Sequence, residues 1–246
     1  MPVVIVSGIV TRYVNYREND RIITIITPDR GRIDAKARGA RRQNSPLLSC
    51  AETFVCGEFE LFLHKDKYTV NGCGVTESFF PIREDIVRFA LGTSMLQLVS
   101  DTVQENEPNE ALFLLLYRAL SFLAYGEADA TDLFLCFLIR FLNAAGLKPS
   151  ITACAQCGRD VRGDDKLFFA PLLGGAVCAA CARGGAPVSK TALEALRRML
   201  LLTDEQMDRV RLSEQLGGEL YTLLTDYAEQ ALEYGPRALA FMRQIR

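Results

Sequence analysis

The stretch RIITIITPDRGRIDAKAR, Arg21 to Arg38, places two apolar-rich runs around a turn. Isoleucine and threonine are stiff at χ1 and fit a pleated surface, so RIITIIT reads as a strand. In TPDRGR, Pro28 presets φ for the second turn position and Gly31 can take positive φ. RIDAKAR then follows as a strand, with Arg32, Asp34, Lys36 and Arg38 on one parity. Upstream, VVIVSGIVTRYV is rich in the same residue types. Downstream, ETFVCGEFELFLH and KYTVNGCGVTESF read as a fourth and a fifth strand, hinged near Lys65–Lys67.

Five short strands without intervening helices point to a small barrel, and the five-stranded oligonucleotide-binding (OB) barrel is the natural candidate for residues 1–80. From Pro81 the apolar period lengthens. IREDIVRFALGTSMLQLVSDTV, NEALFLLLYRALSFLAYG and ATDLFLCFLIRFLNAAG read as three helices over 81–149, with Gly126 and Gly146 as stops. The second and third are apolar on most sides, as the core of a helical bundle would be. DTVQENEPNE, with Asp101, Glu105, Glu107 and Glu110, is expected to be a solvated loop. Residues 150–188 break the helical pattern, which resumes over 189–246. Thr191 with Glu194, and Thr203 with Gln206, have capping-box spacing. SEQLGGELYTLLTDYAEQALEYG is a long amphipathic helix that Gly235-Pro236 should end, leaving PRALAFMRQIR as a short last helix. The expected architecture is α+β and multidomain: an OB barrel, then a helical body carrying an insert.

The insert holds CAQC and CAAC, with cysteines at 154, 157, 178 and 181. Two residues between the members of each pair let both thiolates reach one ion, and four thiolates at about 2.3 Å complete a tetrahedron around Zn²⁺. The spacer KLFFAPLLGGAVC is two strand-like runs separated by a glycine pair, the pattern of a zinc-ribbon hairpin. A redox reading would need one pair near a helix start in a βαβ context, which is missing. Four cysteine ligands also close the site to water, so the zinc is expected to be structural. Cys50, Cys56, Cys73 and Cys136 lack paired spacing and are expected in the core.

Other chemistry is short of parts. The chain of 246 residues has one histidine, His64, which excludes most acid–base triads. It contains neither the H-x-E signature of zinc deaminases nor a G-x-x-x-x-G-K-[ST] loop. No enzyme is expected. MPVVIVSGIVTRYV has no basic segment ahead of its apolar run, so no secretory leader is expected. DLFLCFLIRFL is too short to span a bilayer and contains Arg140. A soluble cytoplasmic protein with no membrane partner is the expectation.

Net charge is −2, but it is unevenly distributed. Residues 1–42 hold nine basic groups against four acids, a net of +5 that leaves −7 for the rest. A basic head on an acidic body suggests a polyanion-binding module. Arg12, Arg17, Arg21, Arg32, Lys36 and Arg38 could line one groove of the barrel, with Arg41 and Arg42 on the loop beyond Gly39. Aromatic residues are few there, so charge contact with phosphates is better supported than base stacking. Arg197-Arg198 form a second basic pair on the helix from Thr191, where Glu194 is spaced to pair with Arg198.

Together, the basic five-stranded head with AKARGARRQNSPL, the helical body, the C-x2-C…C-x2-C insert and the closing GPRALAFMRQI resemble the RecO family of bacterial recombination mediators over essentially the whole chain. The resemblance implies a non-enzymatic DNA-repair protein that binds single- and double-stranded DNA and anneals complementary strands. It implies joint work with RecR in loading RecA onto strands covered by single-stranded-DNA-binding protein, at the bacterial nucleoid. It also implies DNA contact through Lys36, Arg38, Arg41 and Arg42, and a second patch at Arg197 and Arg198. Two other classes stay open on the residues alone: an adaptor whose basic head takes acidic peptides, and a metal-dependent hydrolase resting only on the cysteine site.

Overall fold

In the computed structural model, which describes residues 3–232, the chain forms two compact units, Met1–Ala124 and Tyr125–Arg246. The division runs within the helical region. The expected last helix from Pro236 lies outside the described residues.

The first unit opens with β1 (Val3–Tyr16), β2 (Asp20–Thr27), β3 (Gly31–Ala37), β4 (Cys56–His64) and β5 (Lys67–Glu77). They close into a barrel of order β1-β2-β3-β5-β4, sealed by antiparallel β1–β4 pairing and a short parallel β3–β5 contact. The alternation in β3 is obeyed: Ile33, Ala35 and Ala37 are buried, while Arg32, Asp34 and Lys36 face out. Gly31 has φ +65°, as the turn requires, and a Cβ there would collide with the backbone of Gln104 and Glu107. That contact adds to the expectation for the acidic loop. Its acidic side chains are exposed, but its backbone is bonded to the barrel, with Arg32 N–H donating to Gln104 O at 3.0 Å and Asn106 N–H to Arg30 O at 3.1 Å.

The turn-rich segment between β3 and β4 plugs the barrel. Leu47, Cys50, Ala51 and Val55 join Ile23, Ile25, Phe59 and Leu61 in one buried cluster. Phe54, held at φ +68° and fully buried, meets Phe89 at 5.8 Å between centroids. Phe89 belongs to α1 (Ile86–Thr102), which starts on Asp85, whose carboxylate accepts from the N–H groups of Val87 and Arg88. Gly92 lets α1 approach Phe54 and Leu123, the latter on α2 (Glu110–Tyr125). Thr11, the extra residue at a bulge in β1, donates to Ser100 Oγ of α1 at 3.2 Å.

In the second unit, α3 (Ala130–Ala144) is buried almost continuously from Asp132 to Leu142. It packs on α4 (Lys190–Leu201) and α5 (Glu214–Ala231). The Asp132 carboxylate, buried, accepts from Leu212 N–H at 2.9 Å. α4 begins two residues earlier than its threonine suggested. Ser189, not Thr191, is the cap, accepting from Ala192 N–H, and Glu219 in turn binds Ser189. The Thr203–Gln206 capping box is formed, on a short 3₁₀ turn. Between α3 and α4 lies a three-stranded sheet of order β7-β6-β8, from β6 (Leu167–Ala170), β7 (Gly175–Cys178) and β8 (Ala186–Val188). The expected hairpin is there, with β8 added along its free edge. No described helix is long and apolar enough to cross a membrane.

Candidate nucleic-acid interface and metal centre

The β1–β2 hairpin ends in a three-residue turn, Arg17-Glu18-Asn19, with Arg17 at φ +53°. The turn after β3 folds back onto it. Gly39 takes φ +67°, and its N–H donates to Asp20 Oδ1 at 2.8 Å. Arg41 N–H donates to Asn19 O, and its guanidinium to Glu18 O, both at 3.0 Å. The Lys36 ammonium sits 2.9 Å from Asp20 Oδ2. The Gly39 N–H and Lys36 hold the Asp20 carboxyl below its ordinary range. One carboxylate thus fastens a cationic strand end and a cationic turn to one hairpin tip.

Strand register groups the outward side chains. Arg12 lies in one row with Thr24 and Asp34; Val14, Ile22 and Lys36 form the next; Tyr16 and Asp20 follow. Arg12, Arg38, Arg41 and Arg42 are exposed, and Lys36 is partly so. Arg12, Arg38 and Arg42 make no ion pair among the described residues.

Other expected contact residues are committed to the fold. Arg21 is 12% exposed; its guanidinium bonds Ala51 O at 2.9 Å and Glu52 at 2.5 Å, and lies 3.9 Å from the Tyr13 ring centroid. Arg32 reaches Glu105 and Ser100 O, each at 3.5 Å. In the second unit Arg197 donates through Nε to Ile151 O at 2.9 Å, whereas Arg198 is exposed beside Glu194 at 3.5 Å. The face also brings two of its cations against an aromatic ring. Arg17 lies 5.3 Å from the Tyr16 ring centroid, and Lys36 Nζ lies 4.8 Å from it.

The four cysteines converge. The sulfurs of Cys154, Cys157, Cys178 and Cys181 all lie within 4.8 Å of one another, with Cys157 and Cys178 at 4.0 Å. Tetrahedral ligands at about 2.3 Å would stand about 3.8 Å apart, so the set fits one metal ion with small adjustments. Gly158, at φ +75°, turns the first knuckle and donates to Cys154 O at 2.8 Å. Burial pushes the Cys154 thiol up, but the N–H groups of Cys178, Cys157 and Gln156 outweigh it and hold it at about 6. That favours the thiolate a metal needs. The Cys181 thiol, hydrogen-bonded to Cys178, is pushed up to about 12. Cys50, Cys56 and Cys136 are buried and Cys73 half-buried, and among the described residues the metal-binding group is made of the other four cysteines.

The Recombination protein O N-terminal family model matches residues 1–79, and the C-terminal model of the same protein matches residues 83–240. The DNA repair protein RecO of Acetivibrio thermocellus is 34% identical over 242 residues, covering 97% of this chain and 96% of that protein. The DNA repair protein RecO of Symbiobacterium thermophilum is 32% identical over 245 residues, covering 98% and 97%. That of Anaeromyxobacter dehalogenans is 32% identical over 244 residues, covering 97% and 95%.

Proposed function

Because the chain belongs to the RecO family, we propose that it is a non-enzymatic mediator of DNA repair and recombination. In this reading it binds single- and double-stranded DNA, anneals complementary strands and, with RecR, promotes RecA loading onto strands coated by single-stranded-DNA-binding protein. It works in the bacterial cytoplasm, at the nucleoid. The observation that carries the proposal is the fixed cationic tip of the barrel: Arg12, Arg17, Lys36, Arg38, Arg41 and Arg42 on one outer face and its adjoining turn. Cations held at a strand end and a tight turn can follow a phosphate backbone without reading its sequence. Residues 1–80 are the DNA-binding part; 81–149 and 189–246 are the helical parts, offering protein-binding surface. Arg198 is the candidate for a second DNA contact, since Arg197 serves the fold. Residues 150–188 are a structural insert holding one Zn²⁺ through Cys154, Cys157, Cys178 and Cys181. A four-thiolate set leaves no position for water, so the ion would supply folding energy to a lobe with little core of its own.

The test is binding of a labelled single-stranded oligonucleotide across a salt series with Arg38→Ala/Arg42→Ala. Each lost phosphate contact should flatten the slope of log affinity against log salt by about 0.7, so about 1.4 for the pair. An unchanged slope would remove the barrel tip from the interface.

A further inference from the structure

The cationic tip is built around a partly exposed aromatic ring, that of Tyr16. We propose that Tyr16, with Val14 beside it, is a base-stacking platform that makes this face selective for single strands. The proposal rests on the DNA-binding reading above and deepens it.

Tyr16 and Val14 are successive outward positions on β1, about 6.8 Å apart along the strand. Val14 is 55% exposed and Tyr16 is 38% exposed. At the core of the first unit Phe54, Phe59 and Phe79 are fully buried; Phe80 and Phe89 are exposed like Tyr16, but they lie outside the barrel strands. Tyr13, one residue before Val14, turns inward onto the barrel core. A sheet face with an apolar residue and an aromatic one left open beside a row of cations has a ready use for both in an unpaired nucleotide.

The cations are arranged around that ring. Lys36 is anchored by Asp20, so its ammonium is held near the ring rather than swinging freely. Arg17 approaches from the exposed turn next to Tyr16 and can move outward to a phosphate while remaining tethered by a backbone at φ +53°. The ring would take a base, and the flanking cations the phosphates on either side. Every base has a π-face, so such a platform tolerates any sequence. In a duplex those faces are stacked on neighbouring base pairs, and only phosphates and groove edges are offered. The ring therefore adds affinity for unpaired nucleotides and nothing for a closed duplex, while the cations serve both.

The experiment measures affinity of the full chain for an oligothymidine strand and for a duplex closed by hairpins at both ends. Tyr16→Leu, Tyr16→Phe and Arg38→Ala/Arg42→Ala are compared with the parent across a salt series. Tyr16→Leu should weaken single-strand binding between about five-fold and about 150-fold, leaving duplex affinity and salt slope within two-fold. Tyr16→Phe, which keeps the ring, should stay near the parent, and the unchanged duplex affinity of Tyr16→Leu excludes loss of folding as the cause. Equal losses on both DNAs, or no loss on the single strand, would overturn the stacking platform. If the arginine pair alone lowers affinity and slope, stacking fails and the DNA-binding face stands. If none of the variants changes binding, the face itself is misassigned.

Discussion

Replacing Arg21 with alanine should unfold the protein sooner and leave its intrinsic affinity for DNA unchanged. From charge alone Arg21 belongs with the DNA contacts, but its guanidinium is 12% exposed and is used up inside the first unit. It donates to the carbonyl of Ala51, a buried residue of the segment that plugs the barrel, and to Glu52, and it lies over Tyr13. A hydrogen bond from a charged donor contributes about 1.5–3 kcal/mol, and a partly desolvated cation–π contact about 1 kcal/mol. Two facts hold the sum down. Glu52 is 37% exposed, so its attraction to Arg21 is weakened by water. Arg21 Nε is buried without a hydrogen-bond partner among the described residues, a cost the alanine variant does not bear. A net loss of about 2–3 kcal/mol remains. For a chain of this size that lowers Tm by about 4–12 °C, read by calorimetry or a urea titration. DNA binding, measured well below the new Tm, should keep the parent's affinity and salt slope. A variant of unchanged Tm with a flatter salt slope would refute this, because it would mean that Arg21 faces phosphate.

Three further outcomes follow from the same geometry. Cys154→Ser should abolish stoichiometric zinc in elemental analysis and lower the thermal stability of the second unit, since the remaining thiols cannot close a tetrahedron. Asp20 has its pKa held below the ordinary 3.8, so it stabilises the fold above that value and stops doing so as pH falls through the folded value. Asp20→Asn should therefore flatten the acid limb of a stability–pH profile below about pH 4, and weaken DNA binding by freeing the Gly39 turn. Arg197→Ala leaves the Ile151 carbonyl without its charged donor, for a loss of about 1–2 kcal/mol in a urea titration, with DNA affinity unchanged.

The parts of this molecule written in local periodicity were legible. The alternation of Arg32, Ile33, Asp34, Ala35, Lys36 and Ala37 gives the inward and outward faces of β3 directly, because a strand's period is two and its barrel has one core. The cysteine spacing gives a four-sulfur cluster for the same reason: two short knuckles need only one hairpin to meet. Long-range partnership was not legible. Arg21 finds Glu52 31 residues away, Arg32 finds Glu105 73 away, and Arg197 finds the Ile151 carbonyl 46 away. A cation's use is decided by what the closed barrel or packed helix brings beside it, and flanking residues carry no record of that. The plug has the same property. Leu47, Cys50, Ala51, Phe54 and Val55 do recur at the spacing of one helical face, but the segment forms only turns, and nothing in that spacing says that the face fills the barrel. Arg38, Arg41 and Arg42 sit where the two kinds of information meet. Gly39 announces the turn, but Asp20, Glu18 and Asn19 hold that turn against the hairpin tip. Arg38 and Arg42 are left facing out because neighbours 18 or more residues upstream already secure the backbone between them. A basic segment fastened through its backbone and one arginine, rather than through all its cations, keeps the rest for a ligand.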